Sequence, residues 1–214
     1  MNDSNEAVGA DAGSRARGAA KPGFLPAERR AVWALAAIYA TRMLGLFLLL
    51  PVLAVHAASL PGATAALAGL AVGAYGLTQA LLQIPFGAAS DRWGRRPVIT
   101  LGLVLYGAGS VLGALAGGIW GVIVARMVQG AGALSGPVTA LVADLTRSAV
   151  RTRAMAFIGI GIGASFVLSL VGAPLLQGAI GVAGIFWTMA VLAAVSLVLL
   201  WTVVPAPRAA ADPD

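Results

Sequence analysis

The sequence predicts an all-α membrane protein, a bundle of six transmembrane helices with both ends of the chain on the cytoplasmic side. Three observations carry that reading. Hydrophobic residues make up 59% of the chain and charged residues 10%, against roughly 25% charged in a soluble domain. The apolar residues fall into six runs, each close to the 20 or so residues that cross a bilayer core. The charges lie almost entirely between those runs, on alternate connectors.

Residues 1–30 are polar, mixed in charge and rich in Gly and Ala, which reads as a disordered cytoplasmic tail. The apolar run that follows is too long for a signal-peptide core. It forms the first span, about 31–60, interrupted by Arg42 and closed by a Pro61-Gly62 turn. The second span covers about 64–89, the third 98–117, the fourth 119–142, the fifth 155–177 and the sixth 182–204. Residues 205–214 are Pro-rich and charged, and read as a cytoplasmic tail or the start of a linker. Six crossings nearly exhaust 214 residues, which leaves little room for a soluble catalytic domain.

The basic residues set the orientation. Arg15, Arg17, Lys21, Arg29 and Arg30 precede span one, Arg92, Arg95 and Arg96 follow span two, Arg147, Arg151 and Arg153 follow span four, and Arg208 follows span six. The connectors after spans one, three and five carry no charge at their centres. Positive residues stay on the cytoplasmic side, so both termini are placed there. The net charge of +6 is thereby explained without nucleic acid, and the surface partner is lipid. Trp33, Trp120, Trp187 and Trp201 fall near span ends, where interfacial anchors belong. A single lysine among the basic residues and abundant alanine point to a GC-rich bacterial source, hence to a bacterial plasma membrane.

Inside the spans, Gly69 with Gly73, Gly109 with Gly113 and Gly117, Gly132 with Gly136, and Gly159 with Gly163 have the spacing that lets helix backbones approach. Pro51, Pro85, Pro137 and Pro174 predict kinks. Arg42 and Arg126 are the two charges within spans. Facing lipid, each would cost a few kcal/mol, so each either hydrogen-bonds carbonyls near a helix break or lines a water-filled path. Counting along the spans places Arg42 in the cytoplasmic half and Arg126 in the outer half. Tyr75, Gln79 and Gln83 recur every four residues as a polar stripe on span two, and Gln129 lies one turn beyond Arg126. These six residues are the candidate substrate path. "RMLGLFLLLPV" and "RMVQGAGALSGPV" form a weak internal echo in spans of opposite direction, as an inverted three-plus-three repeat would.

Enzyme chemistry is disfavoured. The chain has no Cys and one His, His56, so thiolate, His-cluster metal and Ser-His-Asp sites have no residues to build on. None of the eight acidic residues lies deep in a span. No cofactor or metal is expected, and proton coupling would lack the buried carboxylate it commonly uses.

The loop "FGAASDRWGRRP", residues 86–97, joins spans two and three on the cytoplasmic side. It closely resembles the signature loop of the major facilitator superfamily, Gly-x-x-x-Asp-Arg-x-Gly-Arg-Arg/Lys, at Gly87, Asp91, Arg92, Gly94, Arg95 and Arg96. "ARMVQGAGA" resembles the Arg-x-x-Gln-Gly motif of proton-linked facilitators, at Arg126, Gln129 and Gly130. "ADLTRSAVRTRAMAFIG" resembles the cytoplasmic connector of drug-efflux members, and "RMLGLFLLLPVLAVHA" with "YGLTQALLQIPFG" is similar to the multidrug-efflux, drug:proton antiporter branch. Gly163 and Gly172 fit that branch's span-five signature, with "GAP" at residues 172–174 in place of the usual Gly-Pro.

The resemblance covers residues 28 to 205, the amino-terminal six-helix half of a twelve-helix family. It implies a half-bundle that needs a second half, supplied by another copy, a separate chain or the remainder of a longer gene. It also implies that Asp91 and the loop arginines, with Asp144 as a partner, latch the outward-facing state, Asp91 also meeting a helix N-terminus of the second half. Gly87 is expected to let helices close together, Gly94 to permit a turn that a Cβ would strain, and Pro97 to start span three. The function implied is transport of small, lipophilic or cationic solutes by alternating access. The rival reading is a non-transporting fragment or membrane partner that pairs with full-length transporters, and solute flux separates the two.

Overall fold

The computed structural model describes residues 23–205 and is all-helical across them. Most of the predicted amino-terminal tail, with Arg15, Arg17 and Lys21, and the segment bearing Arg208 lie outside the described residues. Helix α1 (Pro26–Ser59) starts with proline in its first turn, where a missing N–H costs nothing. Glu28 accepts the Leu25 N–H at 2.8 Å, half of a capping box. Helix α2 (Ala65–Trp93) is capped by Thr64, whose hydroxyl accepts the Leu67 N–H at 3.2 Å. Gly94, at φ 91°, separates α2 from α3 (Arg95–Ala114), a left-handed conformation that a Cβ would strain. Three further helices follow: α4 (Ile119–Ala131), α5 (Ser135–Asp144) and α6 (Ser148–Thr202).

Among the described residues, α1, α2, α3 and α6 are long and apolar enough to cross a membrane. The six predicted runs map onto the helical elements with one departure. The fourth run is broken between α4 and α5 at residues 132–134. Pro137 has no N–H to offer the carbonyl four residues earlier and its ring crowds that carbonyl, so the helix ends ahead of it and resumes with Pro137 in its first turn. The fifth and sixth runs are the two helical arms of α6, which meet at Gly181, at φ 67°, in the connector expected between them.

The chain reverses at Gly181. Ser165 donates to the Ala40 carbonyl at 2.8 Å, and Ser196 shares a 2.9 Å hydrogen bond with Thr41. Along a straight helix those serines would stand roughly 45 Å apart. Both reach the same turn of α1, so the two arms of α6 run antiparallel against it.

Two apolar clusters form the core. One gathers Leu49, Leu53, Ala71, Ile119, Val122 and Phe186, the other Leu35, Ile38, Ile99, Leu103, Leu141 and Leu200. On α1 and the α4–α5 pair, the residues between the clusters include Arg42, Arg126 and Gln129, all buried, and Ser110 of α3 bonds to Gln129 from the side. A polar layer therefore divides the core. The outer surface exposes large apolar side chains such as Leu81, Ile84, Ile160, Val167, Val171 and Val198, as lipid contact requires and water does not favour.

The small-residue pairs sort into two kinds. A Cβ at Gly109 would stand 2.6 Å from the Gln129 nitrogen, and one at Gly132 would collide with the Gly102 carbonyl oxygen. Gly69, Gly73, Gly87, Gly117, Gly159 and Gly163 have nothing within 4 Å of such an atom. The Gly87 Cα nevertheless stands 3.9 Å from where a Cβ at Gly136 would lie, so α2 and α5 come near each other there.

One end of the bundle is charged. Glu28, ahead of the apolar run, is 5% exposed and accepts from the Arg147 backbone N–H at 3.0 Å, Nε at 2.8 Å and Nη2 at 3.1 Å. The Arg147 guanidinium, aided by the Arg147 and Leu25 backbone N–H groups and opposed by burial, holds the carboxyl at about 2 instead of the ordinary 4.5. A carboxyl so depressed stabilises the fold fully above pH 4.5 and loses that contribution as pH falls towards 2. The melting temperature of the purified chain is expected to fall through that window, and Glu28→Gln to flatten this component. An unchanged slope in Glu28→Gln would remove Glu28 from the acid response.

Candidate functional site

The polar layer is built around the ring of Tyr75 on α2. The Arg42 guanidinium carbon lies 5.7 Å from that ring's centre and 5.6 Å from the ring of Tyr106; the Arg126 carbon lies 4.7 Å from Tyr75. Arg42 Nη2 donates to the Gly132 carbonyl at 2.9 Å and to Gln79 Oε1 at 3.3 Å. Arg126 Nη1 donates to Gln129 Oε1 at 3.0 Å, Gln129 Nε2 donates to Ser110 Oγ at 2.8 Å, and Ser110 Oγ donates to the Tyr106 carbonyl at 2.7 Å. The Tyr106 hydroxyl closes the chain by donating to the Arg42 carbonyl at 3.3 Å.

Local sequence explains these positions. The helix break ahead of Pro137 leaves the Gly132 carbonyl free, and Arg42 takes it. A glycine at 130 brings α4 against the backbone of α2 at Tyr75, which sets Arg126 over that ring. Tyr75, Gln79 and Gln83 do not stay on one face. Four residues advance a helix by about 40° beyond a full turn, so Tyr75 is buried, Gln79 half-buried and Gln83 exposed. The structure therefore joins Arg42, Tyr75, Gln79, Arg126 and Gln129 and leaves Gln83 outside.

The two cations are poorly compensated. Arg42 is 2% exposed and Arg126 0%, and transfer of such an ion out of water costs several kcal/mol. A ring contact returns about 0.5 to 2 kcal/mol, and a hydrogen bond to a charged group about 1.5 to 3. Arg42 Nε and Nη1, Arg126 Nε and the Tyr75 hydroxyl have no partner among the described residues. The acidic side chains of those residues, Glu28, Asp91 and Asp144, belong to the charged end of the bundle. The layer is a cluster of donors short of acceptors.

A second cluster occupies the loop after α2. Arg95 is paired with Asp91 through Nη1 and reaches Asp144 Oδ2 with Nε at 3.2 Å. Its Nη1 also donates to Ser90 Oγ at 2.7 Å, whose hydroxyl donates to the Gly87 carbonyl at 2.8 Å. Arg96 Nη2 donates to the Leu200 carbonyl at 2.8 Å and the Val204 carbonyl at 2.9 Å, and its guanidinium lies 4.9 Å from the Trp201 ring. It thus satisfies carbonyls that the end of α6 leaves open. Arg92 is exposed.

Tyr106, Ser110 and the Gly132 carbonyl belong to the buried layer, and Glu28 with Arg147 to the charged end, without having been singled out from the sequence. A hydroxyl in an apolar run is too common to mark a site, and a carbonyl carries no sequence signal beyond the proline that frees it. Glu28 did carry one, as the acid three residues past a helix start.

Comparison with known proteins follows the same geometry. The profile of the Major Facilitator Superfamily matches residues 35–214. The inner membrane transport protein YajR of Escherichia coli strain K12 is 49% identical over 180 residues, which covers 84% of this chain and 40% of that protein. The multidrug resistance protein MdtH of Yersinia enterocolitica is 36% identical over 138 residues, 63% of this chain and 34% of that protein. Among solved structures, the human organic anion transporter MFSD10 superposes with a TM-score of 0.74 at 25% identity, over 86% of this chain and 49% of that one. The POT family transporter PepTSo, at 17% identity and a TM-score of 0.70 over 84% of this chain and 37% of that one, shares the fold. The chain thus spans about half the length, or less, of the relatives it matches. With its apolar helices, its charged loop and these matches, the chain belongs to the Major Facilitator Superfamily.

Proposed function

We propose that the chain forms the amino-terminal half of a multi-pass transporter in a bacterial inner membrane, moving small solutes by alternating access. Its six apolar runs are then six crossings in an inverted three-plus-three arrangement. Both termini are cytoplasmic, because the arginine-rich connectors gather at one end. The observation that carries the reading is the buried layer of Arg42 and Arg126, since ionisable groups are kept within a membrane bundle for a path rather than for stability. Arg42, Gln79, Arg126 and Gln129 with Tyr75 line that path, and Gln83 extends it along the open face of α2. A second six-helix half completes the cavity. The names of the relatives point to multidrug resistance in one case and organic anions in another, and drug efflux is the transport proposed for this chain. No resident cofactor is required, and proton coupling would draw its carboxylate from the second half.

The loop contacts serve as a latch at the cytoplasmic end. Asp91 is 64% exposed and Asp144 43%, so each pair with Arg95 contributes no more than about 1 kcal/mol. That suits a contact made and broken in every cycle. In everted membrane vesicles, the assembled transporter is expected to concentrate a lipophilic fluorescent dye. Asp91→Asn is expected to slow uptake by up to about fivefold, with stability changed by less than about 1 kcal/mol. Flux unaffected by Asp91→Asn would defeat the latch. No flux from any assembly of the chain would favour a non-transporting fragment or membrane partner.

A further inference from the structure

We infer that the buried arginine layer is a binding site for a small organic anion, whose carboxylate is held between Arg42 and Arg126 beside the Tyr75 hydroxyl. This rests on the transport reading and narrows its cargo, because the charge of the site favours anions over lipophilic cations.

Charge gives the first reason. Two guanidiniums, at least 98% buried, approach one aromatic ring, and no carboxylate of the described residues pairs with either. Like charges held in a low dielectric repel each other as well as losing hydration. An added positive group would worsen both effects, whereas one carboxylate offsets both.

Hydrogen bonding gives the second. Among the described residues, Arg42 Nε, Arg42 Nη1 and Arg126 Nε find no acceptor, and the Tyr75 hydroxyl finds no partner. A carboxylate offers about four acceptor sites in two oxygens and no donor, which is the complement of that set. The rings of Tyr75 and Tyr106 and the apolar cluster that includes both surround the two guanidiniums, so the anion that suits them has an apolar body.

Access gives the third. Gln79 is the half-buried member of the layer and holds Arg42 Nη2 at 3.3 Å, longer than the 2.9 Å bond to Gly132. Beyond it, Gly76, Leu77, Ala80 and Gln83 are exposed. A rotamer change at Gln79 opens Arg42 towards that face of α2.

The test uses the purified chain in lipid nanodiscs, with benzoate as the anion, benzamide as its neutral isostere and benzylammonium as the cation. Binding is read as the dose-dependent shift of thermal unfolding followed by tryptophan fluorescence. Benzoate is expected to act at a concentration at least about tenfold lower than either control, one charge-assisted hydrogen bond being enough for that ratio. Arg42→Gln and Arg126→Gln are each expected to abolish the preference. If either variant fails to fold, Arg42→Lys and Arg126→Lys, which keep the charge and lose the fork, are expected to weaken it. Equal action of the three probes would overturn the inference, as would a benzoate preference that survives both replacements. Dye flux without benzoate binding would sink this inference and leave the transport reading intact; benzoate binding without flux would do the reverse.

Discussion

Gly130→Val is expected to destabilise the chain by about 3 kcal/mol or more, the upper end of what overpacking costs. A Cβ at this position would run into the Tyr75 carbonyl oxygen and stand 2.9 Å from Thr78 Oγ1 and 3.0 Å from the Tyr75 carbonyl carbon. Two of those three atoms are backbone, so no rotamer change relieves them. Helix α4 must move away from α2, and Tyr75 and Arg126 separate with it. Gly163→Val is the matched control, since nothing lies within 4 Å of a Cβ there. Its stability is expected to stay within about 0.5 kcal/mol of the parent chain, the usual range for a surface change. Thermal unfolding of both variants in the same lipid nanodiscs checks the pair. Equal stabilities would mean that α2 and α4 are not in backbone contact at Gly130, and the arginine layer would lose its frame.

The fold class was legible because lipid leaves few options. A long apolar run in a bilayer must satisfy its own backbone, and helices do so; arginine clusters then mark which connectors stay on one side. Arg42 and Arg126 were legible for a related reason, as lone charges in apolar runs. The break within the fourth run was not. Pro137 announces a kink, but the turn that gives way lies ahead of it, and which side chain claims the freed Gly132 carbonyl depends on how α1 packs. The reversal at Gly181, by contrast, falls inside the short connector that the sequence leaves between the fifth and sixth spans, although which residue turns the chain is not marked there. The Tyr75, Gln79 and Gln83 stripe was read as one face, whereas its drift around α2 places one end in the core and the other outside. Spacing gives the angle between residues but not the direction of the face. Tyr106 and Ser110 illustrate the remaining limit: they matter only through what stands opposite them.

Arg126→Met combined with Gln129→Leu is expected to abolish transport while leaving the chain at least as stable as before. Arg126 Nη1 is bonded to Gln129 Oε1, and Gln129 Nε2 to Ser110 Oγ. Replacing Arg126 alone strands the Gln129 carbonyl oxygen at zero exposure, a loss of about 1 to 3 kcal/mol. Replacing both removes donor and acceptor together. Ser110 keeps its bond to the Tyr106 carbonyl, and methionine and leucine fill similar volumes without a buried charge. Exchanging buried ionic groups for apolar ones of like size is often neutral or stabilising by about 1 to 4 kcal/mol. A structural Arg126 would behave otherwise, the double variant melting well below the parent chain and transport falling only with protein yield. Unfolding temperature, membrane yield and initial flux, measured on the parent, Arg126→Met and the double variant, decide between the two. Recovery of stability in the double variant with no recovery of flux would place the Arg126–Gln129 pair on the solute path. Normal flux in that variant would remove it.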